Sequence, residues 1–218
     1  MLDFSVIVQE QDTVLRGLET TLSLVLISGV LSLLIGILLT PLFFSPYGWI
    51  RKSLEGLCGA MRCAPFLLFV YLIYFGLPTY GIELNKWASG LIAMVVYNSA
   101  YMAIIFRSVW VEMPTDIIEA GSAYGFSGRK MMTKIIGPVL FMRAIPMVGN
   151  QWIQIVKDSA YLGIISVFDI TAAFNSIQAI YFNPFVCFIA AGLIYWALCL
   201  CIEAVVHAVA RYARERIA

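Results

Sequence analysis

"EAGSAYGFSGRKMMTKIIGP", residues 119–138, interrupts a lipid-like chain with glycines, one acid and three cations, while its alanines and isoleucines keep helical spacing. Which side of a membrane this segment occupies decides how the rest is read. The 218 residues are 61% hydrophobic and 12% charged, with a mean hydropathy of +0.90, whereas soluble domains carry roughly 25% charged residues. This is the composition of an all-α integral membrane protein. A net charge of +1 leaves no global basic field for nucleic acid.

Outward from the segment, no charge occurs between Glu19 and Arg51, between Arg62 and Glu83, or between Lys86 and Arg107. Each interval reaches the approximately 20 apolar residues that cross the hydrocarbon. Five spans are predicted, at about 20–44, 53–79, 87–110, 135–156 and 184–207, the fourth containing Arg143 and Pro146. Between the last two, residues 158–183 hold an uncharged run too short to cross, which predicts a re-entrant or interfacial segment.

An odd number of spans puts the termini on opposite sides, so the Lys/Arg distribution sets the orientation. With the N-terminus outside, nine cations (Arg51, Lys52, Arg107, Arg129, Lys130, Lys134, Arg211, Arg214, Arg216) lie inside against three outside (Arg16, Lys86, Lys157). Residues 112–134 become a cytoplasmic loop between spans three and four, and 158–183 an outer segment. Tyr47, Trp49, Trp87, Trp110, Tyr181 and Phe182 lie near span ends, as an aromatic belt or as ordinary members of an aromatic-rich chain.

Cys58, Cys63, Cys187, Cys199 and Cys201 fall in or beside apolar runs without CxxC pairing, and are expected to be small buried hydrophobes. His207 has no second imidazole, so no metal site is expected. The first fifteen residues hold Asp3, Glu10 and Asp12 and no cation. That is the wrong charge for a cleaved leader, and the N-terminus is expected to be retained.

The loop reads as two short helices: Thr115 or Asp116 is a capping candidate for the first, Ser127 for the second, and Gly125 and Gly128 make the turn. Such a fragment cannot bury its apolar residues alone, which predicts a partner. Glu119, Ala120, Gly121, Gly125, Ile135, Ile136, Gly137 and Pro138 are similar in spacing to the Glu-Ala-Ala loop of ABC importer inner-membrane permease subunits, in particular the polar amino acid uptake branch. Gly121 stands where Ala is usual and Gly137 where Leu is usual. "MRCAPFLLFVYLIYFGLP" (61–78), with Cys63 and Ala64 in place of Gly-Thr, resembles the branch's second span; "NSAYMAIIFRSVWVEMP" (98–114) and "PMVGNQWIQIVKDSAYLGIISVFDIT" (146–171) resemble later segments.

The resemblance covers nearly the whole chain. It implies a type I ABC importer permease fold in a bacterial inner membrane, a second permease subunit (identical or not), a cytosolic ATPase dimer and an extracytoplasmic solute-binding protein. It makes the loop a coupling element, with Glu119 and Gly125 as contact and turn; Arg129 and Lys130 are surface contacts or serve only the positive-inside bias. No G-x-x-x-x-G-K-[ST] pattern occurs in the chain, so no cofactor is expected on it, and ATP and Mg belong to the partner ATPase.

Gln151, Gln154 and Asp158 recur at i, i+3, i+7 on one face of span four beside Asn150, while Asn98, Ser99 and Tyr101 make a polar patch on span three. They either hydrogen-bond between helices or line the solute path, where Asp158 would meet a solute cation. Arg62 is expected to snorkel to the inner leaflet, and Arg143 to need a partner or a wet cavity. The implied solute is a polar or charged amino acid or a related compound such as an opine. A proton-coupled transporter would bury more acids or histidines, an intramembrane enzyme would need a nucleophile with its base, and an ATP-independent channel would not need the loop.

Overall fold

The computed structural model describes residues 4–215. Asp3 and Arg216 of the charge count, and the side chain of Arg214, lie outside the described residues. Only a single residue divides the short α1 (Ser5–Gln9) from the long α2 (Gln11–Leu39). The chain continues through α3 (Gly48–Cys63), α4 (Phe66–Tyr71), α5 (Lys86–Val111), α6 (Thr115–Ala123), α7 (Gly128–Met131), α8 (Gly137–Ser159), α9 (Ile170–Tyr181) and α10 (Pro184–Glu215). Among the described residues, four stretches are long and apolar enough to cross a membrane: Gln11–Phe44, Lys86–Val111, Gly128–Ile165 and Pro184–Ala213.

The centre of the bundle is α5, packed against α2, α3 and α8. Its partner α2 turns a small-residue stripe inward, Ser28, Gly29, Ser32 and Gly36, so the two backbones approach until a Cβ at Gly36 would overlap that of Met102. Close backbone approach replaces the hydrophobic driving force that lipid removes. The stripe's serines return their hydroxyls to their own helix, Ser28 to the Val25 carbonyl and Ser32 to that of Gly29. The opposite side of α2 exposes Leu26, Leu34 and Leu38, which suits hydrocarbon.

The second expected span, 53–79, is not one rod. Gly48–Cys63 and Phe66–Tyr80 meet at 107° and pass the length and hydropathy requirements only together. Pro65 cannot donate a backbone hydrogen bond and disfavours helix in the residue before it, so Ala64 is extended. The last carbonyls of α3 are thereby orphaned inside a membrane segment, where each needs a partner. Tyr97 donates its hydroxyl to the Ala64 carbonyl at 2.9 Å, and Tyr101 donates to that of Arg62 at 3.4 Å. A bidentate-capable cation completes the clamp: Arg107 donates to Glu55 at 2.9 Å, tying α3 to α5 lower down.

Two π-helical turns follow one rule. Leu72–Gly76 ends two residues before Pro78, and Met132–Ile136 ends two residues before Pro138. A proline ring clashes with the carbonyl four residues earlier, and widening the preceding turn relieves it without breaking the helix. The fourth crossing is therefore continuous from Gly128, earlier than the expected 135. The last helix likewise runs past 207 to Glu215.

Candidate functional site

Three places carry polar groups that packing alone does not require. The first is the loop. α6 begins after Pro114, which occupies the cap position; neither Thr115 nor Asp116 caps it, and Ser127 stands at the cap position of α7 without a side-chain bond. The turn is a Schellman motif: Gly125 sits at φ +79°, its N–H donates to the Ser122 carbonyl, and Phe126 N–H donates to Gly121, both at 3.0 Å. The second helix of the loop is the first turn of the fourth crossing rather than a separate element.

The apolar residues of the loop are not left for a partner. Ile117, Ile118, Phe126, Met132 and Ile135 pack on a core of Phe106, Met113, Met131 and Ile136, so the chain covers its own loop from below. Glu119, Ala120, Arg129, Lys130 and Pro138 remain exposed. Tyr124, four residues after Ala120 on the same helical face, is 85% exposed; its place beside the turn glycine was the available sequence signal. Glu119 makes no hydrogen bond or ion pair among the described residues.

Both departures from the Glu-Ala-Ala pattern have steric causes. A Cβ at Gly121 would lie 2.8 Å from Met131 Sδ, and one at Gly137 would lie 2.8 Å from the Met132 carbonyl oxygen. The first neighbour is the end of a flexible side chain and the second is backbone. Gly121→Ala is expected to leave the melting temperature almost unchanged, whereas Gly137→Ala lowers it by several degrees, since overpacking costs about 1–3 kcal/mol. Thermal unfolding of the two variants in detergent, compared with the parent, checks the order; equal shifts would contradict it.

The second place lies between α5 and α8. Gln151 Nε2 donates to Asn98 Oδ1 at 2.7 Å, and Asn98 Nδ2 donates to the Met94 carbonyl at 2.9 Å. Gln154, itself exposed, donates to Asp158 Oδ1 at 2.9 Å. Asp158 is 2% exposed, its second oxygen has no partner, and Asn98 and Tyr97 face it. Asn98, Gln151, Gln154 and Asp158 thus form one cluster. Ser99 stands apart, bonded at 2.6 Å to its own helix at Val95, and Tyr101 belongs to the clamp on α3.

The α8/α10 pair has two unlike sides. One groove of about 390 Å³ is apolar, lined by Leu26, Ile145, Trp152, Ile202 and Val205 among others. On the other side Arg143 opens on a groove of about 350 Å³ with Pro146 and Ala210. Asn150, Glu203 and His207 line an adjoining one of about 300 Å³. Lipid suits the first side, and polar groups at this depth require protein or water on the second.

The third place is the segment after α8, a 3-10 turn (Ala160–Ile165) followed by α9, neither long enough to cross. Asp169, missed in the sequence, is fully buried and anchors it. Its Oδ1 accepts from Ala172 N–H at 2.8 Å as the α9 cap, and its Oδ2 accepts from Tyr195 Oη on α10 at 3.3 Å. Ile170 N–H donates to Thr21 on α2 at 3.1 Å. An Asp before "ITAAF" is a recognisable cap signal, but the distant Tyr195 and Thr21 have none. Burial pushes the Asp169 carboxyl up from 3.8 to about 6, against the pull of the Ala172 N–H and Tyr195 hydroxyl.

Because the folded value exceeds the unfolded one, this contribution to stability is full below pH 3.8 and is lost as pH rises through about 6. The parent's melting temperature is expected to fall by several degrees between pH 4.5 and 7.5, and Asp169→Asn, which keeps a capping side chain, to flatten that slope. Differential scanning fluorimetry across that range reads it; an equal slope in both proteins would assign the pH dependence elsewhere.

Residues 32–215 match the model of the binding-protein-dependent transport system inner membrane component family. The arginine transport system permease protein ArtQ of Bacillus subtilis is 29% identical over 214 residues, 96% of each chain. The histidine/lysine/arginine/ornithine transport system permease protein HisQ of Salmonella typhimurium is 28% identical over 193 residues, 84% of this chain and 85% of that one. The crystal structure of an amino acid ABC transporter with histidines superposes with a TM-score of 0.90 at 25% identity, covering 97% of this chain and 99% of that one. A bundle built on α5, a broken second crossing and a glycine-turned loop between the third and fourth crossings is the type I ABC importer permease fold, and the chain belongs to the binding-protein-dependent transport system inner membrane component family.

Proposed function

We propose that this chain, with a second permease subunit, forms the path by which an ATP-driven importer of the bacterial inner membrane passes a polar or charged amino acid, or an amino-acid-like solute such as an opine. A separate ATPase dimer drives it through residues 119–138, and a solute-binding protein delivers to the outer side. ATP and Mg stay with the ATPase.

The observation that carries the solute reading is Asp158, a buried carboxylate with one oxygen unpartnered. Such a group is costly unless a cation joins it. Its neighbours Asn98, Gln151 and Gln154 supply neutral hydrogen-bonding groups suited to an amino acid's polar atoms. The relatives named for arginine and for histidine, lysine, arginine and ornithine lend support to a cationic member of the class.

The coupling reading rests on the exposed side of the loop. Glu119, Ala120 and Tyr124 present one free surface above a packed apolar underside. A lever of this kind transmits force because it is stiff: α7 runs into α8 without a break. Co-expression with candidate ATPases, followed by affinity capture of the intact chain, tests it. Recovery of one ATPase in fixed ratio is expected; failure to retain any would contradict the coupling role.

A further inference from the structure

We propose that the two adjoining grooves between α8 and α10 form a second, inner solute site, in which Glu203 meets the cationic head of an extended diamino acid such as lysine and Arg143 meets its other end. The assignment rests on the solute reading above and adds to it a release site, nearer the cytosol than Asp158, one of whose walls belongs to the loop.

Shared walls join the two grooves. One, of about 350 Å³, holds Arg143; the other, of about 300 Å³, holds Asn150, Glu203 and His207; Pro146 and Ala210 line both. Arg143 and Asn150 are seven residues apart on α8, two turns along one face, or about 10 Å at 1.5 Å per residue. The same interval separates Glu203 from Ala210 on α10. A cation and an anion thus stand towards opposite ends of one groove.

Neither charge is answered within the chain. Arg107–Glu55 is the only salt bridge among the described residues, and Arg143, Glu203 and His207 make no hydrogen bond or ion pair there. All three are exposed. Facing hydrocarbon, such groups would be expensive; facing water, they offer a solute two opposite charges, with Asn150 and His207 as hydrogen-bonding groups between them. The floor is closed, because α8 and α10 meet at Gly149, where a Cβ would lie 2.5 Å from Val206. A solute therefore lies over the helix pair. Charges set about two turns apart suit a solute that carries its own at the ends of a flexible chain, and a short diamino acid reaches only one of them at a time.

The groove continues from the outer cluster and ends at the loop. Gln154, exposed and bonded to Asp158, lies one turn from Asn150 on the same face of α8. At the other end Ile117 of α6 lines the groove beside Arg143. Movement of the loop therefore moves a wall of the site, which gives the driven loop a direct means of expelling solute.

The test uses the assembled transporter in nanodiscs without its solute-binding protein, so that only sites in the membrane part are read. Equilibrium binding of lysine to the parent is expected to show two classes of site. Asp158→Asn should weaken the tighter and keep the other, whereas Glu203→Gln and Arg143→Gln should each weaken the other roughly tenfold, the weight of a charge-assisted hydrogen bond. Melting curves of both variants should match the parent's, since neither residue has an internal partner to lose. In the Asp158→Asn background, affinity should rise along diaminopropionate, diaminobutyrate, ornithine and lysine, and adding Glu203→Gln should abolish that rise. One class of site in the parent, or a second class untouched by Glu203→Gln and Arg143→Gln, would overturn the assignment while sparing the solute reading. Absence of binding by every probe to the parent would overturn both.

Discussion

Glu119→Lys is expected to abolish ATP-driven uptake, by roughly thirtyfold or more, while the protein reaches the membrane at normal abundance. Glu119 is exposed and has no partner within the described chain, so its replacement disturbs no internal contact. Reversing a charge at an interface replaces an attraction with a repulsion, an effect of about 2–5 kcal/mol where the contact is desolvated. Uptake of labelled solute into cells expressing the complete transporter, normalised to membrane abundance, reads the first quantity. ATPase retained on affinity capture reads the second. Unaltered transport in this variant would remove the loop from the coupling path. Arg129→Ala and Lys130→Ala make a useful contrast: both residues are exposed, and a small effect would assign them to the positive-inside bias.

Asp158→Asn has the second largest expected effect, and its direction differs between function and stability. Affinity for a cationic solute should fall about tenfold or more, because the partner charge is gone from a buried site. Stability should hold or rise, since the neutral amide removes an unpartnered buried charge and keeps a group that Gln154 can reach. Substrate-concentration dependence of uptake and a melting curve on the same preparation settle both. A variant that is less stable and equally active would make Asp158 a packing residue.

The two effects separate what residue types disclose from what folding must supply. Charge intervals and the Lys/Arg distribution made the spans and the loop legible, because both follow from the solvent each residue tolerates. The polar cluster was half legible: Gln151, Gln154 and Asp158 share a face by spacing, but only the packing of α5 on α8 brings Asn98 to Gln151. Ser99 looked equivalent to Asn98 and is not, since a one-residue step turns a helical side chain by about 100°.

The break at Pro65 shows why the rest was hidden. Hydropathy over 53–79 is that of one span, and a proline inside a membrane helix is often only a kink. Here Tyr97 and Tyr101, more than thirty residues on, hold the orphaned carbonyls and let the chain turn by 107°. The loop's self-coverage was hidden for the same reason. Its apolar residues read as partner-seeking until Phe106 of the third crossing and Ile136 of the fourth are placed beneath them. Gly121 and Gly137, where the loop departs from the Glu-Ala-Ala pattern, are sites of close contact with Met131 and Met132.

The proposed coupling requires this chain to move solute only when a separate ATPase drives its loop. Proteoliposomes containing the chain with its ATPase, supplied with loaded solute-binding protein on one side and ATP on the other, test it most directly. Accumulation of solute above its external concentration is predicted with ATP, together with hydrolysis stimulated by the loaded binding protein, and both should vanish in Glu119→Lys. Equal solute flux with and without ATP, unaffected by that substitution, would contradict the account.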